Sequence, residues 1–142
     1  NCIRCREIKG NIVDQYDIKL NIHHYKSSGG TEYFIEYKTN QYLIGFIRLR
    51  LNDGNTKEQL NILKDCALIR ELHVYSNLNN VGNNISNSYQ HKGFGTKLLE
   101  TAENIAINNG YRKMAIISGT GVRNYYRKFG YILSQTYMIK EL

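Results

Sequence analysis

The residues best suited to chemistry form two short clusters in the second half of the chain. The first is a Gln-x-x-Gly-x-Gly run, Gln90 to Gly95, followed directly by an amphipathic stretch. Amides in the first turn of a helix lack helical partners and carry partial positive charge, and glycines leave them uncovered. The run therefore predicts a cradle for a pyrophosphate at the start of a helix from Gly95 to Asn108, with Lys92 adding positive charge.

The second cluster is Asn124-Tyr125-Tyr126, on a predicted short helix from Val122 to Lys128. A phenol is a neutral hydrogen-bond donor and a candidate general acid. Core packing is the alternative in a chain with 12 tyrosines.

The cysteines predict little chemistry by themselves. Cys2 and Cys5 form a Cys-x-x-Cys pair, which is either half of a metal site or two free thiols. Cys66 lies in an apolar run and is most simply a small buried hydrophobe. The total of three is odd, which argues against a disulfide framework and favours a reducing compartment.

Charge and length narrow the class of protein. A length of 142 residues fits one domain with a real core, and no segment approaches the roughly 18 apolar residues of a membrane span. The net charge is +7 with a pI near 9.3, which favours a nucleotide, a nucleic acid or an acidic surface as partner. A basic soluble domain without a nucleic-acid role is the alternative.

The elements that must position these clusters follow from periodicity and turn chemistry. Strands, a helix and further strands alternate, which predicts a mixed α/β fold with an antiparallel-dominated sheet and one parallel crossover. Besides the two helices, the predicted elements are the strands Tyr16–Tyr25, Glu32–Lys38, Tyr42–Leu51, Cys66–Tyr75, Lys113–Ser118 and Tyr131–Ile139, and a polar loop from Asn77 to Tyr89.

Two of these elements have predicted faces. Strict alternation places Leu68, Arg70, Leu72 and Val74 on one face of the strand that contains Glu71. Helical spacing predicts a buried stripe on the long helix. The stripe consists of Leu98, Leu99, Ala102, Ile105 and Ala106.

Other phosphate-binding motifs fit the glycine run poorly. A Rossmann site needs a third glycine and a strand directly before the motif, and a P-loop needs Gly-Lys-Ser/Thr. Here the third glycine is missing, the predicted strand ends at Tyr75, well before the motif, and no Gly-Lys-Ser/Thr sequence is present. The run instead resembles the acetyl-CoA motif of the GNAT acyltransferases, and the tyrosine pair lies where that superfamily commonly has a tyrosine facing the thioester sulfur. The resemblance implies the GNAT acyl-CoA N-acyltransferase fold, with a mostly antiparallel sheet flanked by helices.

A closer resemblance extends from Cys2 to the C-terminus. Ordered blocks with matching gaps are similar to the C-terminal acetyltransferase domain of the Elongator catalytic-subunit family. These blocks are Cys2–Glu7, Gly45–Arg50, Ala67–Tyr75, Gln90–Thr96, Ile116–Lys128 and Tyr137–Lys140.

This resemblance implies an activity. Full-length members carry a radical-SAM domain with a [4Fe-4S] cluster, bind S-adenosylmethionine, and build a carboxymethyl-type group from acetyl-CoA on carbon five of the tRNA wobble uridine. Residues 1–14 would end a zinc-binding loop or linker, with Cys2 and Cys5 as partial ligands, and residues 15–142 would form the acetyltransferase domain. This domain alone would bind acetyl-CoA without modifying tRNA.

The resemblance and the motifs together also assign site residues. The catalytic candidates are Tyr126, Tyr125 and Glu71. Glu71 lies where GNAT enzymes often have a general base, and a structural ion pair with an arginine is its alternative. The acetyl-CoA contacts are Glu71, Leu72, His73, Val74, Gln90, Lys92, Gly93, Phe94, Gly95, Thr96, Asn124 and Tyr126.

Partners and alternatives complete the expectation. The implied partners are tRNA, acetyl-CoA and other Elongator-type subunits, with no membrane. The implied localisation is the cytoplasm, or the nucleus if the source is a eukaryote. One alternative is a protein lysine N-acetyltransferase acting on histone tails, which a domain of charge +7 suits poorly because like charges repel. The other is a non-catalytic module that binds acyl-CoA or docks tRNA.

Overall fold

A computed structural model describes residue 3, residues 18–53, residue 63, residues 65–75 and residues 85–142, with residues 85–92 described through the backbone alone. The predicted metal ligands Cys2 and Cys5 lie outside these ranges. No helix in the described ranges is long and apolar enough to span a membrane.

The described strands form one mixed sheet of seven, in the order β1-β2-β3-β4-β5-β7-β6. Neighbours are antiparallel except β4 and β5, which are parallel and joined through α1. The elements are β1 (Lys19–Ser27), β2 (Gly30–Lys38), β3 (Leu43–Asn52), β4 (Cys66–Val74), α1 (Ile85–Asn108), β5 (Lys113–Ile117), a 3₁₀ turn (Thr120–Val122), α2 (Arg123–Arg127), β6 (Ile132–Ser134) and β7 (Tyr137–Glu141). The mostly antiparallel α/β prediction is confirmed.

Tight hairpins join the first three strands. β1 and β2 are connected by Ser28 and Gly29, and Gly29 has φ +78°, a conformation that glycine adopts without strain. Between β2 and β3 the Thr39 hydroxyl accepts the amide of Tyr42 at 2.9 Å and that of Gln41 at 3.2 Å. This side-chain cap fixes the turn between the two strands.

The core lies between α1 and one face of the sheet, here called the helix face. The predicted stripe of α1 is confirmed, since Leu98, Leu99, Ala102 and Ala106 are all buried and Ile105 packs beside them. Their partners are strand residues that the pleat places on one side. These partners include Ile35, Ile47, Leu49, Ile69, Met114 and Ile116.

Two predicted boundaries are wrong. α1 begins at Ile85, not at Gly95, so the glycine run lies within the helix and part of the predicted loop is helical. A glycine inside a helix lowers stability by only about 1 kcal/mol. α1 includes both glycines of the run, Gly93 and Gly95. The predicted single strand Tyr131–Ile139 is a hairpin, because Gln135 has φ +56° and reverses the chain between β6 and β7.

Candidate functional site

The parallel strands β4 and β5 pair only over the first half of β4. Their register ends where Ile69 lies opposite Ile116. β4 continues to Val74 beside β3, while β5 ends at Ile117. No described strand pairs with the β5 side of β4 after Ile69. The sheet therefore has an interior gap, and one wall of the gap is a strand edge whose main-chain groups can pair with an extended ligand.

A β-bulge lies where this gap begins. Arg48 of β3 pairs with Glu71, whereas the next residue, Leu49, pairs with Ile69. Arg70 is therefore the extra residue on β4. A bulge of this kind bends its strand and shifts the alternation of side chains by one position.

The predicted faces of β4 are corrected by this bulge. Ala67 and Ile69 face the α1 core before it, and Leu72 and Val74 face the same core after it. The expectation that Leu68 and Arg70 share a face with Leu72 and Val74 is wrong, because it assumed unbroken alternation. The bulge turns Glu71 and His73 to the opposite side of the sheet.

Three predicted site residues meet beside the gap. A Cβ built on Gly95 would lie 2.5 Å from the Tyr125 Oη and 3.7 Å from Val74 Cγ2. Only a residue without a side chain lets α1 approach the tyrosine and the end of β4 this closely. The glycine motif and the tyrosine pair, separate in the sequence, thus form one cluster with Val74.

The two tyrosines differ in burial. Their ring centroids are 5.3 Å apart at 75°, and Tyr126 is only 6% exposed while Tyr125 is half-buried. Burial, reinforced by the neighbouring Tyr125, raises the pKa of Tyr126 to about 12. Burial also raises the pKa of Tyr125. Both phenols are neutral donors at physiological pH, and Tyr125 is the one that contacts the glycine motif.

Phe94 attaches α1 to the β2–β3 hairpin. It is buried with Ile44 and packs against Tyr37 at 5.0 Å between ring centroids and against Val74. Lys97 Nζ lies 5.6 Å from the centroid of the same ring. Its surroundings are those of a packing residue next to the gap.

The remaining residues of the two motifs occupy three kinds of position. Gln90 and Lys92 belong to α1, and their side chains lie outside the described part. A Cβ on Gly93 would meet nothing within 4 Å, and Thr96 is half-buried. Asn124 is exposed, and its Oδ1 accepts a hydrogen bond from Arg127 at 2.5 Å.

Glu71 and His73 lie on the other side of the sheet, here called the charged face, which carries Glu32, Glu36, Arg48, Arg50 and Glu71. Arg48 Nε is 3.5 Å from Glu71 Oε2, and both side chains are nearly half exposed. The Arg48 guanidinium also lies 5.7 Å from the Phe34 centroid. The ion pair that the sequence analysis offered as an alternative is therefore present, and the base role of Glu71 stays a prediction.

Two buried polar atoms were not predicted from the sequence. Ser118 Oγ, just after β5, and Arg123 Nε, at the start of α2, are buried and have no hydrogen-bond partner. A buried donor without a partner costs about 1–3 kcal/mol, so each is suited to a ligand's acceptor. The position of Ser118 directly after a buried strand was the only sequence signal.

Comparison with known proteins gives a consistent result. The model of the acetyltransferase (GNAT) family matches residues 5–131. The chain is similar to Elongator complex protein 3 of Schizosaccharomyces pombe, with 38% identity over 98% of this chain and 28% of that protein. It is 41% identical to the tRNA uridine(34) acetyltransferase of Methanocaldococcus jannaschii, over 99% of this chain and 28% of that protein. The chain thus spans little more than a quarter of these relatives.

Solved structures agree with the sequence match. Methanocaldococcus infernus Elp3 with an N-terminal deletion superposes with a TM-score of 0.80 and 38% identity, over 99% of this chain and 35% of that one. A putative N-acetyltransferase from Lactobacillus plantarum has a TM-score of 0.53 at 16% identity, over 80% of this chain and 69% of that one, which reflects the fold alone. Because the family model matches most of its length and the fold agrees, this chain belongs to the GNAT acetyltransferase family.

Proposed function

We propose that this chain is the acetyl-CoA-binding domain of an Elongator-type enzyme that builds a carboxymethyl-type group on carbon five of the tRNA wobble uridine. The observation that carries the proposal is the contact of Gly95 with Tyr125 and Val74 beside the gap between β4 and β5. Both the tyrosine and the end of β4 can reach a ligand held there. The names of the relatives supply the tRNA substrate.

The main chain of β4 is the proposed binding element for the pantetheine arm. The edge from Arg70 to Val74 has no described strand partner on its β5 side. The two amides of an extended arm can pair with such an edge as an added strand would. Ser118 directly follows β5, which ends at the gap, and Arg123 begins α2. Their buried, unpartnered atoms are suited to carbonyl or phosphate oxygens.

The phosphate role of Lys92 to Thr96 remains a prediction, and it requires a local change. Inside α1 each of these amides donates to a carbonyl one turn earlier, so it has no hydrogen left for a phosphate. Binding in the predicted cradle therefore requires α1 to begin near Gly93 instead of Ile85. Lys97, exposed on the next turn, supplies further positive charge.

Tyr126 and Tyr125 act as hydrogen-bond donors in this proposal. The pKa of Tyr126 is raised to about 12 by burial, whereas a free thiol has a pKa near 8.5. Full proton transfer from the phenol to a thiolate is therefore uphill. A hydrogen bond that strengthens as charge develops on sulfur needs no such transfer, and this is the role that we assign to the pair.

Glu71 faces the side of the gap away from α1. A ligand in the gap borders both faces of the sheet, so Glu71 is in the half of the site where an acceptor would approach. As a base it must lie within hydrogen-bond reach of the proton that it removes, directly or through one water. Its contact with Arg48 at 3.5 Å keeps it oriented but does not assign that role.

The rest of the reaction belongs to the longer protein in this proposal. S-adenosylmethionine, the [4Fe-4S] cluster and zinc bind outside residues 15–142, and Cys2 and Cys5 belong to the zinc-binding loop. Other Elongator-type subunits join the assembly. The charge of +7 suits a tRNA partner, and the odd cysteine count suits the cytoplasm.

The test is acetyl-CoA binding and cleavage by the protein at its native length, with and without tRNA. We expect Tyr126→Phe to bind a non-hydrolysable acetyl-CoA analogue as the parent does, but to cleave the thioester at least tenfold more slowly, since the donor to sulfur is lost. Tyr25→Phe, on the exposed edge strand β1, is the matched control and should behave as the parent.

Two outcomes would contradict the proposal. One is a parent protein that does not bind the analogue. The other is thioester cleavage that a basic lysine peptide stimulates and tRNA does not, which would instead indicate a protein acetyltransferase.

A further inference from the structure

The helix that carries the tyrosine pair has little to hold it in place. α2 spans only Arg123–Arg127, and no side chain caps its first turn. A helix this short is not stable by itself. The position of Tyr126 relative to the gap must therefore be set by residues outside α2.

Tyr131, which lies outside α2, contacts Tyr126 in two ways. Its amide donates to the Tyr126 carbonyl at 3.3 Å, next to the amide of Phe129 at 3.0 Å. Its ring meets the Tyr126 ring edge-on, with centroids 6.1 Å apart at 71°. Tyr131 is itself only 1% exposed, so a shift of its ring would displace Tyr126 in a packed interior.

Glu103 of α1 fixes Tyr131 in turn. The Tyr131 hydroxyl donates to Glu103 Oε2 at 3.0 Å. Lys140 of β7 donates to the same carboxylate at 2.9 Å and 3.2 Å, and its Nζ lies 5.6 Å from the Tyr131 ring centroid. Glu103 is nearly buried, and Lys140 balances its charge.

The tyrosine segment is thus attached to α1 at two points. Gly95 contacts Tyr125 at one end, and Glu103 binds Tyr131 two turns further along the helix. We propose that Glu103 is a positioning residue for thioester cleavage, which acts through Tyr131 to hold Tyr126 at the gap. This inference rests on the proposed function of the tyrosine pair.

A matched pair of tyrosine variants tests it in the protein at its native length. Tyr131→Phe removes the hydroxyl that binds Glu103. Tyr111→Phe removes a comparable hydroxyl, which donates to the Asn52 carbonyl at the opposite end of α1 from Gly95. We expect both to lower the melting temperature. Only Tyr131→Phe should lower kcat for acetyl-CoA cleavage, by about tenfold, with the Kd of the acetyl-CoA analogue unchanged within twofold.

Glu103→Gln gives a second, independent readout. The amide oxygen still accepts from Tyr131, so we expect kcat to stay within threefold of the parent although the ion pair with Lys140 is lost. Glu103→Leu removes the acceptor and should reproduce the tenfold loss. An unchanged kcat in Tyr131→Phe, an equal loss in Tyr111→Phe, or a tenfold loss in Glu103→Gln would overturn the proposal. A parent without thioester cleavage would instead refute the proposed function, which separates the two failures.

Discussion

The two faces of the sheet are built on different physical principles. The helix face is apolar and close-packed, with residues such as Ile47 and Ile69 fully buried beneath α1. The charged face is held by ion pairs, in which Glu32 accepts from Arg50 at 2.9 Å and from Arg70 at 3.1 Å. The tyrosine cluster depends on the first face and Glu71 lies on the second.

This difference decides how a charged side chain on the sheet is to be interpreted. On the side of the sheet that α1 covers, a polar group such as Glu103 of α1 is nearly buried and must be fully paired, so its loss is transmitted to its neighbours. On the charged face the Arg48–Glu71 pair is close to half exposed, and water and salt weaken it. That pair therefore gives weak support for either stability or catalysis.

The largest effect should come from a cavity between α1 and the helix face. Leu99 is 1% exposed, so Leu99→Ala should lower the free energy of unfolding by about 3 kcal/mol, through lost burial and the void left behind. Leu133→Ala is the control, since Leu133 on β6 is 40% exposed and should cost less than 1 kcal/mol. Urea unfolding measures both. Equal losses would contradict the assignment of the core to α1.

The next effect is a loss of stability in alkali that depends on Tyr126. Its pKa is raised to about 12 in the folded protein by burial, from about 10 in the unfolded chain. The neutral phenol therefore stabilises the fold fully below pH 10, and that contribution, about 3 kcal/mol, is lost as the pH rises to 12. Urea unfolding across this range should show a shallower pH dependence for Tyr126→Phe. Identical slopes would mean that Tyr126 is not buried.

The smallest effect should come from the charged face. Glu71→Gln and Arg48→Met each break the same half-exposed pair, and each should change the free energy of unfolding by less than 1 kcal/mol. Thioester cleavage coupled to tRNA then separates the two roles of Glu71. A loss near a hundredfold in Glu71→Gln alone identifies a general base, whereas equal, small losses in both variants identify an ion pair.

Local patterns predicted most of the fold. The strands β2 and β3 and the α1 stripe follow from periodicity, and the structure confirms them. The Arg70 bulge does not follow, because it arises from the pairing of two strands and leaves no mark on the alternation of a single one. The turn at Gln135 lacks the glycine or asparagine that normally indicates a positive φ.

The site was predictable as a list of residues but not as an arrangement. The motifs identified Gly95 and Tyr125, yet only the fold brings them into contact. The role of Glu103 could not be predicted from the sequence, since a glutamate in an amphipathic helix normally faces solvent. Its role depends on Tyr131 and Lys140, which reach it from separate elements.

The early start of α1 has a consequence for affinity. If phosphates bind the amides of Gly93 to Thr96, the ligand competes with carbonyls that already hold those amides in the helix from Ile85. The apparent affinity is then the intrinsic affinity multiplied by the fraction of molecules in which the first two turns have melted. Under the proposed function, a tRNA or partner subunit that favours the melted form would raise acetyl-CoA occupancy without touching acetyl-CoA, and the supply of the acyl donor would be coupled to the arrival of its acceptor.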